Sequence, residues 1–266
     1  MNVQLLLAPA RGGKTAHAIS RIRRLQDSAP LAPVWVVLPN FPQVTSFRRR
    51  LAHAGGTLGV EVGTFYRLYA DVLARAGTLA PRLFDPVQHR LLRAIVDRFC
   101  AEGRLHHYAP LRDKPGFVRA LRTLVQELKR ARVHRDAFTA AVADQPPRLA
   151  ELAAIYAAYQ DWLVTCGWTD AEGQGWLAAQ ALERDPALYA NLALLIVDGF
   201  DEFNPTQLQV LRLLAGRAAE TIITLTGDPT SLPPLPPYRG MGKTTPIGGR
   251  GEPAPPTVAS PALFLS

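Results

Sequence analysis

The amino-terminal part of the chain alternates between apolar runs and amphipathic stretches. The runs at 3–7 and 33–39 are almost entirely apolar, which is typical of strands in a parallel sheet that helices cover on both faces. A third, shorter strand is predicted at 59–62, and the spacing of apolar residues predicts helices at 44–54 and 64–76. Strands that alternate with helices in this way indicate an α/β fold.

The periodicity changes at residue 85. Three stripes of apolar residues follow at helical spacing, within 87–99, 117–128 and 152–163, and no convincing strand interrupts them before residue 192. We therefore interpret 85–190 as an all-helical insertion in the α/β domain, with its apolar stripes packed together.

The α/β pattern returns near the carboxyl end of the chain. An apolar run at 192–198 predicts a strand buried on both faces, 208–215 predicts a helix, and 221–226 predicts the last strand. Residues 229–266 contain 10 of the 23 prolines and no apolar stripe. We predict that this proline-rich tail is disordered.

Residues 8–15 join the first predicted strand to a helix and read Ala-Pro-Ala-Arg-Gly-Gly-Lys-Thr. In a phosphate-binding loop, or P-loop, glycines let backbone N–H groups turn toward phosphate oxygens, the lysine reaches the β- and γ-phosphates, and the hydroxyl binds Mg²⁺. Ala8 stands where the P-loop pattern has its first glycine. The alternative is a glycine-rich turn that binds nothing. The predicted nucleotide-binding residues are Ala10, Arg11, Gly12, Gly13, Lys14 and Thr15.

The apolar run 192–198 ends in a carboxylate, Asp198. The carboxyl end of a buried strand lies at the crevice where open α/β sheets bind ligands, so we predict that Asp198 and Thr15 share a Mg²⁺ ion. Many P-loop motors place next a glutamate that orients the attacking water, but here that residue is Gly199. Binding of ATP is therefore better supported than its hydrolysis, and enzymatic activity is left open.

Two further carboxylates, Asp201 and Glu202, follow closely and could replace the missing base. Glu202 is the candidate that we retain. The alternative, which we favour, is that both residues belong to the amino-terminal turn of a helix that opens at 204–207.

These features together predict a P-loop NTPase with a parallel sheet, a large all-helical insertion and a disordered tail. We assign 1–84 to the first part of the NTPase domain, 85–190 to the insertion, 191–228 to the second part and 229–266 to the tail. ATP and Mg²⁺ are the expected cofactors.

The composition is that of a globular protein, with 48% hydrophobic residues and no run approaching the roughly 18 apolar residues of a membrane span. We expect a cytoplasmic protein without a membrane partner, because the first strand begins directly, without a basic leader. Cys100 and Cys166 lie far apart within helical patterns, which favours free thiols over a disulfide or a metal cluster.

The net charge of +8 is unevenly distributed. Residues 1–135 carry 23 Lys and Arg against 8 Asp and Glu, whereas 136–228 carry 4 against 13. Basic clusters occur at 21–24, 48–50 and 129–135. Each cluster alone is better explained as a solvated helix face, but the basic half as a whole favours nucleic acid as a partner, through salt-sensitive backbone contacts.

The string Asp198-Gly199-Phe200-Asp201-Glu202-Phe203-Asn204-Pro205-Thr206-Gln207 is the most specific motif of the chain. With segments 8–15, 38–39, 62–68, 126–129 and 224–228, it resembles AddB. AddB is the helicase-like subunit of the bacterial ATP-dependent helicase/deoxyribonuclease, is related to UvrD-type helicases and carries a PD-(D/E)XK nuclease domain. The resemblance covers about 1–228, which corresponds to the first motor domain with its helical insertion.

The resemblance implies a role in processing double-strand DNA ends for recombinational repair, beside a second helicase-nuclease subunit. It also implies residue roles: phosphate and Mg²⁺ binding by Lys14 and Thr15, metal binding by Asp198, and a place near the DNA track for Thr64, Phe65 and Arg67.

The chain departs from the AddB pattern in what it lacks: a second motor domain, the nuclease carboxylates and the cysteines of an iron–sulfur cluster. The strand end at Asp228 is not followed by the glutamine that senses the γ-phosphate in UvrD-type motors. We therefore expect a truncated or frame-shifted product that is neither a helicase nor a nuclease alone.

Two other functions stay open. The chain could be a DNA-binding scaffold whose P-loop does not hydrolyse ATP, or a stand-alone P-loop kinase or hydrolase. The absence of a glutamate after Asp198 disfavours the second of these.

Overall fold

Five apolar runs form the parallel strands of one sheet in the computed structural model, which describes residues 2–56, 58–227 and 257–259. Each lies within two residues of its predicted bounds, because a run that is apolar on both faces is stable only inside a covered sheet. The prediction of an α/β fold with a parallel sheet is confirmed. The five strands are β1 (Val3–Ala8), β2 (Val34–Val37), β3 (Val60–Gly63), β4 (Leu194–Phe200) and β5 (Glu220–Thr226).

The strand order is β3-β2-β4-β5-β1, followed by a sixth strand, β6 (Thr257–Ala259), which pairs antiparallel with β1. Only β5 separates β1 from β4, so the carboxyl ends of these two strands open at the same edge of the sheet. Of the proline-rich tail the structure describes 257–259 alone, and the other residues on which the prediction of disorder falls lie outside the described part.

Helices α1 (Lys14–Ser28) and α2 (Phe41–His53) follow the first two strands. The side chain of Asn40 caps α2 by accepting a hydrogen bond from the backbone N–H of Gln43 at 3.0 Å. Apolar side chains of both helices and of the sheet form one buried cluster, which includes Leu6, Ile22, Val36, Phe47 and Ile196.

Residues 65–184 form helices joined by turns, and a further helix precedes β5. The helices are α3 (Phe65–Arg75), α4 (Asp85–Ala101), α5 (Pro115–Arg130), α6 (Arg135–Ala141), α7 (Pro147–Cys166), α8 (Ala171–Arg184) and α9 (Pro205–Ala215). Buried apolar residues of α4, α5 and α7 pack into a second cluster that includes Leu92, Val118 and Tyr159.

The chain divides into two compact units. Unit 1 comprises 1–64, 189–202 and 214–266 and contains the sheet; unit 2 comprises 65–188 and 203–213 and is helical. The sequence-based division placed α3 with the sheet, whereas here α3 belongs to unit 2, where it packs against α8.

A buried polar network joins four helices of unit 2. The ammonium of Lys129 donates to Asp170 at 2.7 Å, and Asp170 also accepts from Tyr159 at 2.9 Å, whose hydroxyl accepts from Gln88 at 3.0 Å. Lys129 is only 2% exposed. The basic cluster at 129–135 is therefore not a free cationic face, because Arg130 binds Glu172 as well.

None of the helices within 2–56 and 58–227 combines the length and hydrophobicity that crossing a bilayer requires.

Candidate functional site

The loop between β1 and α1 makes a tight turn. Its backbone enters the left-handed region at Arg11 (φ 65°) and at Gly13 (φ 80°), which directly precedes α1. Gly12 donates its N–H to the carbonyl of Pro9 at 3.0 Å, and a Cβ at position 12 would lie 3.0 Å from both that oxygen and the Cβ of Ala8. Glycine at 12 thus gives Ala8 room, which explains how the loop forms with alanine in place of the first glycine.

Lys14 opens α1 and bends back over this loop. Its ammonium donates to the carbonyls of Ala8 at 2.6 Å and Pro9 at 2.9 Å. Both carbonyls have a second partner, since Ala8 also accepts from the N–H of Gly227 and Pro9 from that of Gly12. The side chain is 8% exposed, so its charge is held at a fixed place beside the loop.

Asp198 lies on β4 and joins the two sequence motifs. Its Oδ2 accepts from the hydroxyl of Thr15 at 2.8 Å, although the two residues are 183 positions apart in sequence. Its Oδ1 accepts from the hydroxyl of Thr224 at 2.5 Å, on the strand that lies between β4 and β1. The carboxylate is 3% exposed and is therefore fixed by two hydroxyl groups. Sequence reasoning missed Thr224, although its position near the carboxyl end of a neighbouring parallel strand could have indicated it.

Gly199 has a left-handed backbone with φ 82°. Its N–H donates to Thr224 Oγ1 at 3.2 Å, and a Cβ built on it would lie 3.0 Å from Oε1 of Gln43. Glycine at this position follows from the backbone that places Asp198.

Two neighbouring clefts border the loop. The inner cleft, of about 240 Å³, is lined by Lys14, Thr15 and Asp198 together with a polar face of α2. The outer cleft, of about 300 Å³, is lined by 11–16 and Arg50. Sequence reasoning missed the α2 face. Its members, Gln43, Ser46 and Arg50, recur at helical spacing, and this periodicity was the available signal.

The oxygen donors here fit a small divalent cation that is also bound by phosphate. No group of three or more His, Cys, Asp or Glu that could hold a metal by itself occurs in the described part of the chain. Mg²⁺ typically takes one or two carboxylates and completes its shell with water and phosphate oxygens. The carboxylate of Asp198 and the hydroxyl of Thr15 match that requirement.

Asp201 and Glu202 are exposed in the segment before α9. The cap of α9 is instead Asn204, whose Oδ1 accepts from the N–H of Gln207 at 2.9 Å while Gln207 Oε1 accepts from the N–H of Asn204 at 3.0 Å. Neither carboxylate lines the inner cleft, so Glu202 has no contact there that favours a role as base.

The three predicted DNA-contacting residues differ in exposure. Thr64 is half-buried and Arg67 is exposed, whereas Phe65 is 3% exposed. The ring of Phe65 lies 5.8 Å from that of Tyr69 and 6.3 Å from that of Phe203, all within unit 2. Phe65 therefore belongs to the interior of unit 2, and stacking on a base is not available to it here.

Comparison with known proteins supports the resemblance. The family described as "ADDB, N-terminal" matches residues 5–236. Proteins named as the B subunit of an "ATP-dependent helicase/deoxyribonuclease" are similar to this chain. That of Moorella thermoacetica is 28% identical over 95% of the chain and 22% of its own length. Those of Ruminiclostridium cellulolyticum (26%) and Heliobacterium modesticaldum (28%) match 86% and 87% of the chain and 20% of their own lengths.

The chain thus spans about a fifth of the length of the curated relatives that it matches. The match with the family covers most of β1, all of β2 to β5 and helices α1 to α9, and includes the loop, Lys14, Thr15 and Asp198. The chain therefore belongs to the AddB N-terminal family.

Proposed function

We propose that unit 1 binds ATP with Mg²⁺, as the first motor domain of a helicase-nuclease subunit that processes double-strand DNA ends. The observation that carries the proposal is the 2.8 Å hydrogen bond between Thr15 and Asp198. It joins the residue after the loop lysine to a buried carboxylate on β4, and both line a cleft beside the loop.

The residues divide the binding task between them. The ammonium of Lys14 exchanges the carbonyls of Ala8 and Pro9 for phosphate oxygens, while N–H groups at the start of α1 face the same phosphates. Asp198 and Thr15 hold Mg²⁺, which neutralises phosphate charge when bound. No carboxylate follows Asp198, and we therefore propose that the domain binds ATP more efficiently than it hydrolyses it.

The DNA part of the proposal is supported by the relatives, whose name describes a helicase and deoxyribonuclease. The same name makes them one subunit of that enzyme, which supports a second subunit as partner. Exposed arginines of unit 1 supply a cationic surface for phosphate contacts that do not depend on base sequence.

The test is a titration of the full chain with Mg-ATP, comparing wild type, Lys14→Ala and the matched control Lys114→Ala. Lys114 is exposed on unit 2. We expect Lys14→Ala to weaken binding by about 10- to 100-fold, or about 1.5–3 kcal/mol, as for a lost charged hydrogen bond. Lys114→Ala should bind like wild type, and chelation of Mg²⁺ should weaken binding by wild type.

Lys14→Ala is expected to fold, because the carbonyls of Ala8 and Pro9 keep their second partners. Circular dichroism of each variant checks this. Equal ATP affinity in wild type and Lys14→Ala, with DNA binding unaffected by ATP, would instead support the DNA-binding scaffold. Steady phosphate release in the absence of DNA would favour the kinase or hydrolase.

A further inference from the structure

Three consecutive arginines of α2, at 48–50, have different surroundings in unit 1. Successive residues of a helix point about 100° apart, so a run of three cannot form one face. Arg48 donates from Nη2 to the carbonyl of Val62 on β3 at 2.6 Å and thus ties α2 to the sheet edge. Arg49 is exposed and lines neither cleft, whereas Arg50 lines both.

Arg50 lies on the same face of α2 as Gln43 and Ser46, which also line the inner cleft. The spacing of three and four residues places them one above the other along the helix. The buried side of the helix is fixed by Phe47, which is 1% exposed in the core of unit 1. The direction of Arg50 toward the loop is therefore set by the packing of the whole helix.

The charges around the clefts favour an anionic occupant. Asp198 already accepts from two hydroxyl groups and Lys14 donates to two carbonyls. Arg50 makes no ion pair with any residue in 2–56 or 58–227. It lines the inner cleft beside Lys14 and the outer cleft beside the loop backbone. A guanidinium with a planar set of donors is well suited to phosphate oxygens.

We propose that Arg50 is a nucleotide-binding residue, supplied by α2 to the phosphates, and does not belong to the DNA-facing basic surface. This inference rests on the proposed function, because it assigns a further ligand to the same site. It separates the arginine triplet into a structural residue (Arg48), a surface residue (Arg49) and a phosphate ligand (Arg50).

The test measures affinity for Mg-ATP in wild type, Arg50→Ala, Arg50→Lys and the adjacent control Arg49→Ala. We expect Arg50→Ala to bind at least about 10-fold more weakly, as expected when a charged hydrogen bond is removed. Arg50→Lys should recover part of that loss, and Arg49→Ala should stay within about twofold of wild type. Affinity for a fluorescent DNA duplex without nucleotide is measured on the same four proteins, and Arg50→Ala should resemble wild type.

The outcomes separate the two proposals. If Lys14→Ala loses ATP while Arg50→Ala and Arg49→Ala both bind it like wild type, the assignment of Arg50 is overturned and the proposed function stands. Equal losses of DNA affinity in both arginine variants, with unchanged ATP affinity, would return Arg50 to the basic surface. Failure of wild type to bind Mg-ATP overturns both proposals.

Discussion

At the residue scale, Gly199 links the backbone of the site to its chemistry. The residue after the metal-side carboxylate has φ 82°, and its N–H donates to the hydroxyl of Thr224 that also binds Asp198. A side chain at 199 would be strained by this backbone and would meet Gln43. The geometry that holds Asp198 therefore disfavours a catalytic glutamate at the next position.

The strain at Gly199 can be measured. Gly199→Ala should lower the free energy of unfolding by about 1–2 kcal/mol, the usual cost of a left-handed L-residue. Urea unfolding followed by circular dichroism measures the change. Gln43→Ala in the same background should restore little, because the far end of Gln43 can move away. The control is Gly116→Ala, where φ is ordinary and an added Cβ meets no atom within 4 Å. An equal loss in Gly116→Ala would show that backbone strain is not the cause.

At the element scale, Glu151 of α7 holds the turn that follows α4. Its carboxylate accepts from the backbone N–H groups of His106, His107 and Tyr108 at 2.9, 2.8 and 3.1 Å. Burial raises the pKa of Glu151, but these three hydrogen bonds outweigh burial and bring the pKa below its ordinary value. The charged form thus ties the connection between α4 and α5 to α7.

Glu151→Gln should lower stability at pH 7 by about 1–3 kcal/mol, because backbone donors lose a charged acceptor. Since the pKa is lower in the folded state, the wild-type carboxylate stabilises the fold above its ordinary pKa of 4.5 and loses that contribution as the pH falls through the folded-state pKa. Urea unfolding at several pH values between about 7 and 3 should show the difference from wild type shrinking. A difference independent of pH, or one shared by the exposed control Glu127→Gln, would contradict this explanation.

The elements were predictable to different degrees. The five parallel strands followed from runs such as 194–197, because a run apolar on both faces has few other stable environments. The placement of α3 with the helices was not predictable, since its apolar stripe would suit a sheet or another helix equally. The roles of Arg48 and Arg50 also required the structure, because identical side chains on one helix differ only in what surrounds them.

At the scale of the whole molecule, the basic charge is organised differently in the two units. In unit 2 many arginines are ion-paired within the described residues: Arg93, Arg98, Arg104, Arg112, Arg122, Arg130 and Arg135. In the described part of unit 1 the corresponding pair is Arg21 with Glu220, and Arg24 and Arg49 are exposed without an ion pair. The excess of basic residues in the sequence therefore overstates the free charge of unit 2.

This distribution predicts where DNA contacts reside. Arg24→Ala with Arg49→Ala should weaken binding to a fluorescent duplex and make its salt dependence shallower, by about 0.9 in log–log slope for each phosphate that is no longer neutralised. The matched variant, Arg93→Ala with Arg112→Ala, removes the same charge from arginines that bind Asp97 and Asp113, so its slope should stay close to that of wild type. Fluorescence anisotropy at several salt concentrations, without nucleotide, measures both slopes. Equal changes in the two double variants would mean that affinity follows net charge alone, and a cationic surface on unit 1 would then lose its support.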